Sequence, residues 1–144
     1  MNHRNASITS GQLSWSIQSD IVSTHLTCAG GHLGPASFHF GSRTIEPFSI
    51  APWAEEVQDG ELPTILSALR GDFFCCPFGI DREEPYRGEA TPPHGESCNA
   101  DWQLVDISET KETVCLTASL ETQFRPGRIV KEILLHNGHT AIYQ

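Results

Sequence analysis

The chain has 144 residues, which suits one domain of ordinary size, and its 9 Lys and Arg against 18 Asp and Glu give a formal charge of -9. This balance argues against a nucleic-acid partner, because binding a phosphate backbone depends on many basic side chains, and the sequence has no basic run for a membrane surface. We therefore expect no nucleic-acid and no membrane partner, and a protein that handles a neutral or lightly charged small molecule.

Cysteine usage and the N-terminal stretch predict a compartment. The first residues carry no apolar segment of the secretory type, and no apolar run approaches the roughly 18 residues that a membrane helix needs. The five cysteines are odd in number, and Cys75 and Cys76 are adjacent, whereas a disulfide framework more often has an even, spaced set. We expect reduced thiols, a cytoplasmic location, no structural metal and no cofactor.

Short strands are predicted at the start of the chain. Residues 13–19 alternate, with Leu13, Trp15 and Ile17 on one side, which is typical of a half-buried strand. The β-branched run at residues 21–28 predicts a second strand, which ends at paired glycines.

The middle of the chain mixes strands with loops. Residues 36–50 predict two short strands around a Gly-Ser turn, residues 51–63 are typical of a loop, and residues 62–69 predict one short helix. Residues 81–100 are polar, irregular and rich in proline and glycine, and loops of that length in a compact domain are usually functional or disordered.

Strand patterns return in the last third of the chain. Residues 102–108 and 113–124 predict two strands, and residues 128–144 predict a hairpin around Asn137-Gly138, the strongest short hairpin signal in the sequence. Many short strands with turn signals between them predict an all-β fold.

Histidine and cysteine side chains, which are typical zinc ligands, occur together in the middle of the chain. The candidate ligands are one histidine and three cysteines from the middle of the chain: His94, Cys75, Cys76 and Cys98. Their spacing departs from the C-x-x-C and H-x(3–5)-H patterns of structural zinc sites, and adjacent residues of an extended chain point to opposite faces. A small zinc protein is therefore the third interpretation of this sequence.

A thiol nucleophile needs a base and a lowered pKa. Cys75 and Cys76 stand among phenylalanines, where burial would raise their pKa, so they are predicted to be core residues. Cys98 stands in a polar segment and is predicted to be the more reactive thiol, although nothing in the sequence supplies its base.

Arg70 and His94 are the remaining candidates for a site. Arg70 ends an apolar run, and it is either a surface ion-pair residue, paired with Asp72, or a planar fork aimed at an oxygen-rich ligand. His94 lies between Pro92-Pro93 and Gly95, and proline restricts both itself and the residue before it. That restriction suits a positioned donor or acid, and the alternative is a loop histidine without a role.

Taken in order, these motifs resemble the galactose mutarotase-like, or aldose 1-epimerase, superfamily. The glucose-6-phosphate 1-epimerase branch has a pattern I-R-G-G…P-x-F-G, to which Leu69-Arg70-Gly71 and Pro77-Phe78-Gly79 are similar. A second pattern, H-G-F-x-R…W, resembles His94-Gly95 with Trp102. Gly30-Gly31, after a predicted strand, look like the early glycine turn of that family, and the resemblance covers most of the chain.

The resemblance implies an antiparallel β-sandwich that forms part of a β-supersandwich and binds a sugar on its concave face. It also implies that Arg70, His94 and Trp102 bind the substrate. Glu96 and Ser97 replace the family's phenylalanine and its neighbour, and no arginine follows. This departure favours an unphosphorylated sugar or a purely binding role.

Anomer interconversion of a hexose needs a general base and a general acid. In the family these are a glutamate and a second histidine from the later part of the fold, so the resemblance assigns no catalytic residue here. We expect residues 1–144 to be one domain, the N-terminal portion of a supersandwich, inactive as an enzyme by itself. The alternative is a non-catalytic carbohydrate-binding or regulatory module. Because uncovered edge strands invite association, we also expect a homodimer or a self-associating species.

Overall fold

The computed structural model, which describes residues 5–56, 62–78, 88 and 91–144, contains two antiparallel sheets. The first sheet has five strands in chain order, each antiparallel to the next. Its strands are β1 (Ser7–Thr9), β2 (Gln12–Gln18), β3 (Val22–Thr27), β4 (Leu33–Phe40) and β5 (Arg43–Ile45). Each of these connections is therefore local along the chain.

The second sheet follows a short helix along the chain. Its four strands again pair antiparallel in chain order. The helix is α1 (Thr64–Ser67), and the strands are β6 (Gln103–Glu109), β7 (Thr113–Thr122), β8 (Gly127–His136) and β9 (Ile142–Tyr143). The prediction of an all-β, antiparallel, sandwich-like fold is confirmed.

The core lies where residues of the two sheets pack together. From the first sheet, Trp15 and Ile17 of β2 point inward at 0% and 5% exposure, while Leu13 is 37% exposed. From the second sheet, Leu116 of β7 and Ile133 of β8 are among the buried residues that join the same cluster. The alternation thus marks the buried face at Trp15 and Ile17, as expected for side chains that alternate across a strand, but the burial expected of Leu13 is not found.

The predicted elements are found close to their expected bounds. The strands at residues 13–19, 21–28, 102–108 and 113–124 are confirmed, and so is the predicted short helix, at Thr64–Ser67. The predicted Gly-Ser turn joins β4 to β5. The structure adds β1, a three-residue strand that pairs with the start of β2 and carries too short a pattern to be predicted.

The Asn137-Gly138 turn is confirmed and is fastened to the first sheet. Gly138 N donates to Asp20 Oδ1 at 2.8 Å, and Asp20 N donates to Asn137 Oδ1 at 3.2 Å. Asp20 belongs to the turn between β2 and β3, so these two bonds join the β8–β9 and β2–β3 turns at one end of the sandwich.

Among the residues that the structure describes, no helix has the length and apolar character needed to cross a membrane. Part of the long central loop predicted at residues 81–100, and Gly79 of the first family motif, lie outside the described residues.

Candidate functional site

A groove of about 310 Å³ opens beside the first half of β8. Its lining comes from the segment after Arg70, from β8, from the entry to β6 and from Gln144. The lining residues are Asp72, Phe73, Phe74, Trp102, Ile129, Val130, Lys131, Glu132 and Gln144. In the described part of the chain β9 pairs with β8 at Leu134 and Leu135, beyond the groove.

Aromatic side chains form one side of the groove. Phe74 is 49% exposed, whereas Trp102 is 1% exposed and contributes only a small part of its surface. Phe73 stacks on His32, with ring centroids 4.8 Å apart and planes 23° from parallel. The groove therefore offers one accessible ring, Phe74, that is backed by fixed aromatic residues.

Polar side chains share the groove with these rings. Gln144 Nε2 donates to Asp72 Oδ2 at 2.8 Å, which holds a carboxylate and an amide together. Glu132 is exposed, and Lys131 is 9% exposed with its Nζ donating to the carbonyl oxygen of Gly31 at 3.0 Å. Burial lowers the pKa of Lys131, and the nearby Asp72 charge partly opposes that change.

The Gly30-Gly31 turn fixes Trp102. Gly31 has φ +58°, and a Cβ at this position would lie 2.6 Å from the indole nitrogen of Trp102. That nitrogen donates to Ser97 O at 2.8 Å. The glycine that the sequence marked as an early turn is therefore needed for close approach of the backbone to the indole as well as for its conformation.

Arg70 is buried and binds backbone carbonyl groups. It is 2% exposed, and its guanidinium donates to the carbonyl oxygens of Ala68, Thr9 and Ser10 at 3.1, 3.0 and 2.9 Å. The surface ion-pair interpretation with Asp72 is wrong, because the side chain is buried and its fork reaches the turn between β1 and β2. Arg70 does not line the groove in the described structure; it anchors the segment that carries Asp72.

His94 is exposed and has a left-handed backbone, with φ +61°. Gly95 N donates to Pro92 O at 2.9 Å and closes the turn. The imidazole meets the ring of Phe73 edge-on, with centroids 6.1 Å apart, and its Nδ1 lies 4.0 Å from Cys75 Sγ. The proline-flanked histidine is thus positioned against Phe73 and Cys75.

The three predicted substrate-binding residues occupy different positions relative to the groove. Trp102 lines it, His94 lies behind Phe73, and the Arg70 fork faces the β1–β2 turn. Their contact with a sugar stays a prediction.

His32 was not singled out from the sequence. It is fully buried, its Nε2 donates to Cys98 O at 3.2 Å, and its Nδ1 has no hydrogen-bond partner among the described residues. Burial lowers the pKa of His32 to about 4, so the ring is neutral at pH 7. Its position directly after Gly30-Gly31 was the only available signal.

Glu96 connects the His94 loop to the second sheet. Its carboxylate is 6% exposed and accepts hydrogen bonds from Gln123 N at 2.7 Å and Phe124 N at 3.2 Å. The residue that departs from the family pattern therefore has a structural role at the turn between β7 and β8.

The cysteines reverse the predicted order of burial. Cys98 is fully buried, and desolvation together with Cys75 raises the pKa of its thiol to about 12, so the prediction that Cys98 is the reactive thiol is wrong. Cys75 and Cys76, predicted to be core residues, are only partly buried. All five cysteines are free thiols, and the described residues contain no group of three or more side chains arranged to hold a metal.

In comparisons with known proteins, no family model, no curated protein and no solved structure matches this chain. The resemblance to the aldose 1-epimerase superfamily rests on its short motifs alone.

Proposed function

We propose that this protein binds a small, unphosphorylated sugar in the groove beside β8. The observation that carries the proposal is the combination of the exposed ring of Phe74 with hydrogen-bonding groups in one concavity. Ligand sites are typically concave, mostly apolar and supplied with a few polar groups that fix orientation. A sugar has an apolar C–H face for the ring and hydroxyls for the carboxylates and amide.

The charges of the groove support a neutral ligand. Asp72 and Glu132 bring two carboxylates, while the ammonium of Lys131 is buried and directed at the Gly31 carbonyl. A phosphate group would meet like charges without a free cationic partner among these lining residues. The net charge of -9 also disfavours binding of a phosphorylated ligand.

Binding is tested by saturation-transfer NMR with glucose and galactose on the protein and on Phe74→Ala. We expect the variant to raise Kd about two- to tenfold, since an aromatic contact contributes about 0.5–1.5 kcal/mol beyond its buried area. Phe40→Ala is the matched control, because Phe40 is 45% exposed and does not line the groove. Equal affinity in both variants, or no transfer with the wild type, would contradict the proposal.

Anomer interconversion is a second candidate function, and the observation that favours it is the pair of carboxyl groups in the groove, Asp72 and Glu132. Ring opening needs one group to accept the anomeric proton and another to donate to the ring oxygen. Exchange NMR of hexose anomers tests this candidate, with Glu132→Gln as the variant and Glu109→Gln, an exposed residue of β6, as the control. Binding without faster exchange would favour the non-catalytic module.

The homodimer and the cytoplasmic location remain part of the proposal. Five free thiols support a reducing compartment. Light scattering on the purified chain tests the homodimer, which predicts twice the mass of 15.9 kDa.

A further inference from the structure

The sulfur atoms of Cys75 and Cys98 both lie close to His94. Cys75 Sγ lies 4.0 Å from the Nδ1 atom of His94, and Cys98 Sγ donates to the backbone carbonyl of His94 at 3.2 Å. Besides burial, Cys75 also contributes to raising the pKa of the Cys98 thiol. The two thiols and the imidazole therefore form one cluster, which lies outside the groove lining.

Backbone hydrogen bonds hold this cluster together. The amides of Glu96 and Ser97 both donate to Cys76 O, at 2.9 and 3.1 Å. Ser97 Oγ accepts from Cys76 N at 2.7 Å and donates to Phe74 O. A Cβ on Gly95 would lie 2.4 Å from Pro77 O, so the two segments approach closely. The chain around Cys75 is thus fixed against the chain around Cys98.

The two thiols differ in what they can do. Cys75 is partly exposed and has an imidazole beside it, which can take its proton and leave a thiolate. Cys98 is buried, and its sulfur donates to backbone carbonyls. This arrangement suits Cys75 as the attacking thiol and Cys98 as the resolving thiol, which forms a disulfide with the oxidised Cys75.

We propose that Cys75 and Cys98 are a hydroperoxide-reactive thiol pair, in which His94 is the base for Cys75. His94 takes the Cys75 proton, and the thiolate attacks the peroxide oxygen, which breaks the O–O bond and gives a sulfenic acid and, after protonation, water or an alcohol. The Cys98 sulfur then displaces the sulfenic hydroxyl, loses its proton and forms the disulfide, with release of water. Two thiols are oxidised by two electrons and one hydroperoxide is reduced.

Mass spectrometry of the folded protein after hydrogen peroxide tests the pair. Trypsin cleavage at Arg and Lys places Cys75 and Cys76 on a peptide of residues 71–82 and Cys98 on a peptide of residues 88–111. We expect a non-reducing digest to join these two peptides. The link should persist in Cys76→Ser and disappear in Cys75→Ser, which replaces a partly exposed residue and leaves buried Cys98 in place.

The rate of oxidation tests the role of His94. His94→Asn removes the base but introduces asparagine, which tolerates the left-handed backbone. This variant should slow the oxidation of Cys75 about tenfold or more. His139→Asn, in the exposed β8–β9 turn, is the control and should leave the rate unchanged.

Three results would overturn the proposal. The first is a peptide link that depends on Cys76 instead of Cys75, and the second is a Cys75 oxidised to sulfinic acid while Cys98 stays alkylatable. The third is oxidation of Cys115, a partly buried thiol on β7, at least as fast as that of Cys75.

Discussion

The guanidinium of Arg70 donates a hydrogen bond to the carbonyl oxygen of Thr9, 61 residues earlier in the chain, at 3.0 Å. A second bond reaches Ser10 O, so one side chain ties the segment before the groove to the turn between β1 and β2. A buried guanidinium with carbonyl partners contributes to stability through charge-assisted hydrogen bonds.

Arg70→Met should therefore lower the free energy of unfolding by at least about 3 kcal/mol, since each hydrogen bond to a charged group contributes about 1.5–3 kcal/mol. Sugar affinity of the folded fraction should not change. Urea unfolding and NMR titration of the same sample measure both quantities. Arg128→Met, whose side chain is 55% exposed, is the control and should stay within about 0.5 kcal/mol. Unchanged stability with weaker sugar binding would support Arg70 as a direct ligand.

Gly31→Ala should destabilise the protein more than Gly138→Ala. Both glycines have positive φ, at +58° and +74°, but a Cβ on Gly31 meets the Trp102 indole whereas Gly138 has open space around it. Urea unfolding should give a loss of about 1–2 kcal/mol for Gly138→Ala and about 1–3 kcal/mol more for Gly31→Ala. Equal losses would show that the contact with Trp102 is not restrictive.

Glu96→Ala removes the carboxylate that binds two backbone amides of the β7–β8 turn. We expect the free energy of unfolding to fall by about 1.5–3 kcal/mol, the range for a hydrogen bond to a charged group. Glu109→Ala, at an exposed position of β6, should change it by less than about 0.5 kcal/mol. If the two variants unfold at the same denaturant concentration, Glu96 does not stabilise the turn.

His32 should make stability depend on acid pH. The pKa of His32 is about 4 in the folded chain, against 6.5 for a histidine in contact with solvent. The unfolded state therefore binds more protons than the folded state between pH 4 and pH 6.5. The stability that depends on neutral His32 is complete above pH 6.5, falls as the pH is lowered, and is lost below about pH 4, with a total change of about 3 kcal/mol.

The variant His32→Gln keeps a donor for Cys98 O and removes the titrating group. Urea unfolding between pH 7 and pH 4 should then show a shallower decrease than in the wild type, whatever the absolute stability of the variant. Parallel decreases in the two proteins would assign the acid sensitivity to other groups.

The strands were predictable because their signals are local. The alternation around Trp15 and Ile17 reports which face is buried, and Asn137-Gly138 reports a tight turn. β1 was missed because three residues carry no period, and it becomes a strand only by pairing with Gln12, Leu13 and Ser14.

The roles of the site residues were less predictable because their partners are distant backbone atoms. Arg70 binds backbone carbonyl groups, and since every residue has one, the sequence does not show which residues are its partners. His32 likewise donates to a backbone carbonyl 66 residues away. The same holds for the cysteines: the base of Cys75 comes from a residue 19 positions later, brought close by hydrogen bonds between backbone segments.

The indole N–H signals of the three tryptophans test sugar binding most directly. Trp102 lines the groove, whereas Trp15 and Trp53 do not, so a titration with glucose or galactose in a ¹H–¹⁵N spectrum should shift the Trp102 signal saturably and leave the other two in place. In Phe74→Ala the same curve should move to higher sugar concentration. A Trp102 signal that stays fixed at about 50 mM sugar, well above the millimolar range of weak binding, would contradict the account.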